Sequence, residues 1–253
     1  MLSEPTSWQW VLLALGALVT GLSKGGIAGL GILGVACFAN ALPARESTGA
    51  LLPLLIAADV IGVAIYRKHA DWPKLWRLFP WVAGGVILGC FALGHVSNAQ
   101  VGRLIGGILL AMVALHVWRQ RQAARDANGF GARLPHAWWF AGVIGALAGF
   151  TTMVANAAGP VMVMFLLAAG LPKLEFLGTM AWFFLVVNCF KVPFSAWLGL
   201  INVGSLKLDA WLLIAMVPGA LLGPVIVKRI NQQAFERMVL VLTIAAAIRL
   251  LLF

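Results

Sequence analysis

The fold class this chain predicts is an all-α polytopic membrane protein built from two homologous, inverted repeats, each a broken pair of short helices followed by three transmembrane helices. Three observations lead there. First, 62% of the 253 residues are hydrophobic and only 10% are charged, with a mean hydropathy of +0.97; a soluble domain carries charge on roughly a quarter of its residues. Eight acidic residues cannot clothe a water-facing surface of this size. Second, uncharged runs recur along the whole length, so the missing charge is explained by a solvent other than water. Third, the chain repeats its own pattern at long range.

The apolar runs, in order, cover 8–22, 25–40, 48–66, 78–94, 104–118, 137–150, 153–169, 176–198, 210–227 and 238–253. At 1.5 Å per residue each is long enough to enter or cross a hydrocarbon core about 30 Å thick. The pairs 8–22 with 25–40 and 137–150 with 153–169 are too short to span comfortably, and are expected either to enter and return as hairpins or to cross twice. These segments are apolar all round, unlike the alternating strands of a membrane barrel.

Basic residues set the orientation. The loop over 67–77 holds four Lys/Arg against one Asp, and 119–136 holds four Arg against one Asp, so both are expected to be cytoplasmic. Lys228 and Arg229, backed by Arg237, mark the cytoplasmic turn of the second half, while the uncharged turn over 199–204 is expected outside. The net charge of +10 therefore orients the chain and does not indicate a nucleic-acid partner. The lipid bilayer is the expected partner, and the localisation is a bacterial inner (plasma) membrane. Three cysteines without CxxC spacing give no disulfide framework and no metal site. The start of the chain lacks a signal peptide's basic region and cleavage site, so the first apolar run is expected to stay in the mature protein.

The repeat fixes the architecture. Leu42, Pro43, Glu46 and Gly49 recur 129 residues later as Leu171, Pro172, Glu175 and Gly178, and Gly85 and Gly89 recur 134 later as Gly219 and Gly223. The expected division is 1–118 as the N-terminal repeat, 119–136 as a basic cytoplasmic linker and 137–253 as the C-terminal repeat. Inversion follows if each copy makes an odd number of crossings, which a hairpin or double crossing plus three helices satisfies. Such symmetry speaks for a transporter more than for an enzyme.

Polar residues stand where lipid forbids them. Gly21 to Gly26 interrupts the first short pair, and the stretch from Gly149 through Asn156 to Pro160 interrupts the second. Glycine and proline there read as helix breaks, tolerable at membrane depth only where they line a cavity or are covered by protein. Facing breaks bring short-helix N-termini near the midplane, which favours an anion. Lys24, between Ser23 and Gly25, either meets an anion, a carboxylate or water in that cavity or snorkels to the surface. Ser23, Gly25, Gly26, Thr151, Thr152 and Asn156 complete the candidate substrate site, although each polar one is equally suited to capping a helix or bonding a carbonyl. Asn188 and Lys191, at i and i+3, share a helix face and join it; Pro193 is placed to kink or end that helix. Asp59, the copy-one match of Asn188, is a counter-ion to Lys24 or Lys191, a proton-coupling group, or a contact to solute. The tryptophans at 8, 10, 72, 76, 81, 138 and 139 fall near segment ends and read as interfacial anchors. Gly102, Gly106 and Gly107 favour close helix packing.

Several of these motifs occur together in one known family. Gly21-Leu22-Ser23-Lys24-Gly25-Gly26, Leu52-Pro53-Leu54-Leu55 with Asp59 and Tyr66-Arg67, Ala158-Gly159-Pro160, and Gly178-Thr179 with Phe183-Phe184, Asn188 and Lys191 resemble the sulfite exporter TauE/SafE family over essentially the whole chain. The resemblance implies a two-halved transporter of sulfur-containing anions such as sulfite, sulfoacetate, thiosulfate or organosulfonates, with these residues shaping its path. Asn156 departs from it, offering a neutral amide where that branch more commonly reads Ser-x-x-x-His-Ala-Gly, and so removes an imidazole from any proton step.

The expected function is secondary transport by alternating access, without covalent chemistry, cofactor or metal. An anion channel, or a transporter of another small organic anion, is the competing expectation. An enzyme is disfavoured because HExxH, an acidic cluster and a nucleophile with a matching histidine are all missing from the sequence. No Walker lysine loop is present to couple transport to ATP.

Overall fold

The computed structural model describes residues 5–93, 114, 138–231, 233–235, 237, 238, 240, 241, 244, 245 and 248. The expected helix over 104–118 apart from residue 114, the linker over 119–136, most of the run over 238–253 and the glycines at 102, 106 and 107 lie outside the described residues. Among the described residues the chain is α-helical apart from turns and one short 3-10 segment, Arg67–His69.

Helix α1 spans Ser7–Lys24, and α2 spans Gly31–Ala41. Gln9 joins their far ends, accepting from the Thr6 N–H through Oε1 and donating through Nε2 to Ala41 O at 2.8 Å. The two helices form a hairpin whose tip is 25–30. There Gly26 and Gly29 take φ of +130° and +99°, a region that side chains avoid. Helix α3, Ala44–Tyr66, starts after Pro43, and α4, Trp72–Ala92, is capped by Asp71, whose side chain accepts from the Lys74 N–H and pairs with the Lys74 ammonium. The second half repeats the order with α5 (Trp138–Ala155), α6 (Ala158–Ala168), α7 (Lys173–Trp197) and α8 (Val203–Lys228). Asn202 caps α8 through the Ser205 N–H. Four of these, α3, α4, α7 and α8, are long and apolar enough to cross a membrane. Trp8, Trp72, Trp76, Trp81 and Trp139 are exposed on the outside of the helices, as anchors at a lipid–water boundary must be.

The breaks sit further along the chain than the glycine pattern predicts, and packing is the reason. Gly21 remains helical, and a Cβ there would strike the Met216 carbonyl and lie 2.7 Å from the Ala220 nitrogen. Gly149 is helical too, pressed onto the Val82 carbonyl and 2.9 Å from the Val86 nitrogen by the same measure. Both glycines admit a neighbouring backbone and do not break their own. Pro160 lies in the first turn of α6, where a missing N–H costs nothing. The second break is therefore only Asn156 and Ala157, with Asn156 itself at φ +50°. Pro193 does not end α7, which continues to Trp197.

Packing crosses between the two halves. Helix α1 lies along α8, with Gly219 against Leu18 and Leu22 and Gly223 against Gly25. Helix α5 lies along α4 in the same way, with Gly85 against Ala146 and Phe150 and Gly89 against Met153. Helices α3 and α7 lie side by side and antiparallel: Gly49 meets Leu200, Asp59 meets Asn188, Gly62 meets Ala181, and Gly178 meets Tyr66 and His69. Apolar residues of α1, α2, α3 and α8 around Leu13, Phe38, Leu54 and Met216 form one core, and those of α4 to α7 around Val82, Met162 and Phe183 form another.

Candidate functional site

Two short helices begin at the same place. The first turn of α2, with Gly31 and Ile32, and that of α6, with Gly159 and Pro160, both line a cavity that also takes in Ser23, Lys24, Thr152, Asn156 and Asn188. The first N–H groups of a helix have no acceptor within it and carry partial positive charge. The cavity offers about 60 Å³ to the centre of a water-sized sphere, well above the roughly 10–15 Å³ that admits one water. Along α7 its wall descends through Asn188, Phe184, Ala181, Met180 and Leu177, towards the end where Gly178 packs on Tyr66 and His69.

Lys24 supplies the cation in the cavity's lining. Its Nζ lies 2.8 Å from Asp59 Oδ1, an ion pair off the line of a hydrogen bond, with the side chains 12% and 0% exposed. The ammonium also sits 3.6 Å from the centre of the Phe184 ring, where the π face attracts a cation. Asn188 Nδ2 donates to the other carboxylate oxygen of Asp59 at 2.7 Å. Asp59 is thus the ion-pair partner of Lys24, and the pair is largely buried. Removing either partner would leave a buried charge uncompensated.

Lys191 is handled differently. Buried to 2% exposure, its Nζ donates to Asn156 Oδ1 at 2.6 Å and to Thr152 Oγ1 at 3.2 Å. Among the described residues no carboxylate comes within ion-pairing distance of it. Asn156 Nδ2 donates to Thr48 O at 3.0 Å, tying the second break to the start of α3. Thr152 and Asn156 line the cavity, and Lys191 stands directly behind them.

The sequence-predicted residues thus divide. Ser23, Lys24, Thr152, Asn156 and Asn188 line the cavity; Asp59 and Lys191 lie behind that wall, and each bonds to residues in it. Gly25, Gly26 and Thr151 do not line it. Gly25 O accepts from Tyr66 Oη at 2.8 Å, Gly26 packs under Tyr66 and Val227, and Thr151 donates back to Ala148 O. Leu55 and Gly159, which the family resemblance placed along the path, line the cavity, as do Gly29, Gly31, Ile32, Val35, Leu177 and Met180, which the sequence pattern did not single out. A Cβ built at Gly159 meets nothing within 4 Å, so its lack of side chain serves space and not packing. Among the described residues no group of three or more His, Cys, Asp or Glu is placed to hold a metal.

The profile of the sulfite exporter TauE/SafE family matches residues 13–250. The chain belongs to this family. A TauE/SafE protein is a membrane transporter, which agrees with the four long apolar helices and with a cavity lined by Lys24 between half-length ones. No curated protein and no solved structure matches the chain.

Proposed function

We propose that this TauE/SafE protein is a secondary transporter that carries a small sulfur-containing anion, such as sulfite, thiosulfate or an organosulfonate, across a bacterial inner membrane by alternating access. The observation that carries the reading is the convergence of two short-helix N-termini and Lys24 on one cavity. With Lys24 and Lys191 cationic and Asp59 anionic, the site has one formal positive charge in excess, which suits an anion.

The inverted repeat belongs to the same proposal. Helices α3 and α7 occupy matching places in the two copies, run antiparallel, and touch through the matched positions Asp59 and Asn188. Such an arrangement of equivalent residues in antiparallel spanning helices is what a two-fold axis in the membrane plane would produce, and it supports the inverted reading. The proposed division is 1–118, 119–136 and 137–253, and the basic Arg67–His69 turn is assigned to the cytoplasm by its charge.

Uptake of labelled sulfite, thiosulfate and short sulfonates into proteoliposomes tests the function, with Lys24→Ala and Lys191→Ala run in parallel. Saturable uptake of at least one anion, lost or weakened in both variants, is expected; full uptake by both would rule out this anion site. Proton coupling through Asp59 is tested by a pH jump across the vesicle wall. Wild-type uptake is expected to respond to the proton gradient, and whatever uptake remains in Asp59→Asn, which loses the carboxylate paired with Lys24, is expected not to; a wild type indifferent to the gradient rejects the coupling.

A further inference from the structure

The two lysines stand at different depths. Along α7, Phe184 carries the Lys24 ammonium, Asn188 holds Asp59, and Lys191 follows one turn later. Phe184 and Lys191 are thus separated by about 10 Å of helix. Lys24 belongs to the hairpin tip beside Tyr66 and Gly223, near the finishing ends of α3 and α8. The Asn156 amide that holds Lys191 is bonded instead to Thr48, at the starting end of α3. The Asp59–Asn188 contact lies between them.

Their exposure differs in the same sense. Lys24 lines the cavity, whereas Lys191 is closed off by Thr152 and Asn156, which do line it. Thr152 is the repeat counterpart of Lys24 at the offset that relates Gly21 to Gly149. The second hairpin therefore has no lysine where the first has one, and α7 supplies a cation to that place from behind. If the two repeats exchange conformations, the second hairpin acquires the exposure the first has now.

We propose that Lys24 and Lys191 are two alternately exposed anion stations. Lys24 receives the anion in the conformation described, from the end of the bundle that carries the Arg67–His69 turn. Lys191 receives it in the opposite conformation, once Thr152 and Asn156 move aside. This rests on the reading of anion transport by alternating access, and adds that one cation serves each side of the membrane.

Right-side-out and inside-out vesicles separate the two claims, with labelled thiosulfate and sulfite as probes. In wild type, saturable flux from both sides is expected; its absence for both probes sinks the underlying transport reading. Lys24→Ala is expected to raise KM roughly tenfold or more from the basic-turn side and less than twofold from the other, the scale of one lost charge-assisted hydrogen bond. Lys191→Ala is expected to do the reverse. Asn156→Asp, isosteric and able to neutralise Lys191 in place, guards against a misfolded alanine variant and should share its side preference, while Lys191→Arg should restore the KM. Equal KM changes on both sides, or unchanged KM in both Lys191→Ala and Asn156→Asp, would overturn the two stations while leaving anion transport standing. Complete loss from both sides in Asn156→Asp counts against them as well.

Discussion

The two hairpins reach the same cavity by different means. In α1–α2 the break is the six-residue tip 25–30 with two left-handed glycines, and the hairpin carries its own cation, which a carboxylate on α3 balances. In α5–α6 the break is two residues, Asn156 and Ala157, and the hairpin carries only neutral acceptors that hold a cation from α7. A buried charge can thus be stabilised by an opposite charge or by well-aimed dipoles, and this molecule uses one solution at each tip.

The largest expected effect comes from removing the opposite charge. Asp59→Ala leaves the Lys24 ammonium buried without a carboxylate and is expected to cost about 3–5 kcal/mol, read as loss of folded, monodisperse protein in detergent. Stability equal to wild type would mean that Lys24 is not held by Asp59. Next come the glycine crossings, where the hairpins should behave alike. Gly219→Leu and Gly85→Leu each drive a side chain into a facing carbonyl, at a cost of about 3 kcal/mol, whereas Gly84→Leu, with nothing within 4 Å, should be neutral. Thermal unfolding of all three checks this, and a tolerant Gly85→Leu beside an intolerant Gly219→Leu would break the equivalence of the crossings.

Asn156→Ala removes a neutral acceptor from a buried cation and is expected to cost about 1–3 kcal/mol, less than Asp59→Ala. A larger loss than that of Asp59→Ala in the same denaturant titration would reverse the comparison. Smallest is Tyr66→Phe, which leaves Gly25 O without its hydroxyl donor and should lower stability by about 1 kcal/mol. No measurable change would show that the two left-handed glycines hold the tip unaided.

Composition made the membrane-embedded helices legible, because lipid as solvent leaves one reading for long uncharged runs. The repeat was legible because Pro43 and Pro172 start equivalent helices and so recur at a fixed spacing. Lys24, Asp59 and Lys191 stood out for lack of any orienting role. Partner choice did not show: nothing local to Lys191 says that its acceptors lie 35 and 39 residues earlier, and the i, i+3 spacing that puts Asn188 and Lys191 on one face does not say that they take different partners. The breaks were misplaced because glycine has two uses in a helix, turning the chain and admitting a neighbour, and only the neighbour tells them apart. Gly21 and Gly149 have one; Gly26 and Gly29 turn.

The crossings at Gly21, Gly85, Gly149 and Gly219 also settle what each half owes the other. Each hairpin's closest backbone contact is with the last described long helix of the opposite copy, α8 for α1 and α4 for α5. The genetic unit and the mechanical unit therefore do not coincide: a chain cut over 119–136 would yield two fragments that each lack the surface their own first helix is shaped to grip, and only co-expression should restore a stable pair.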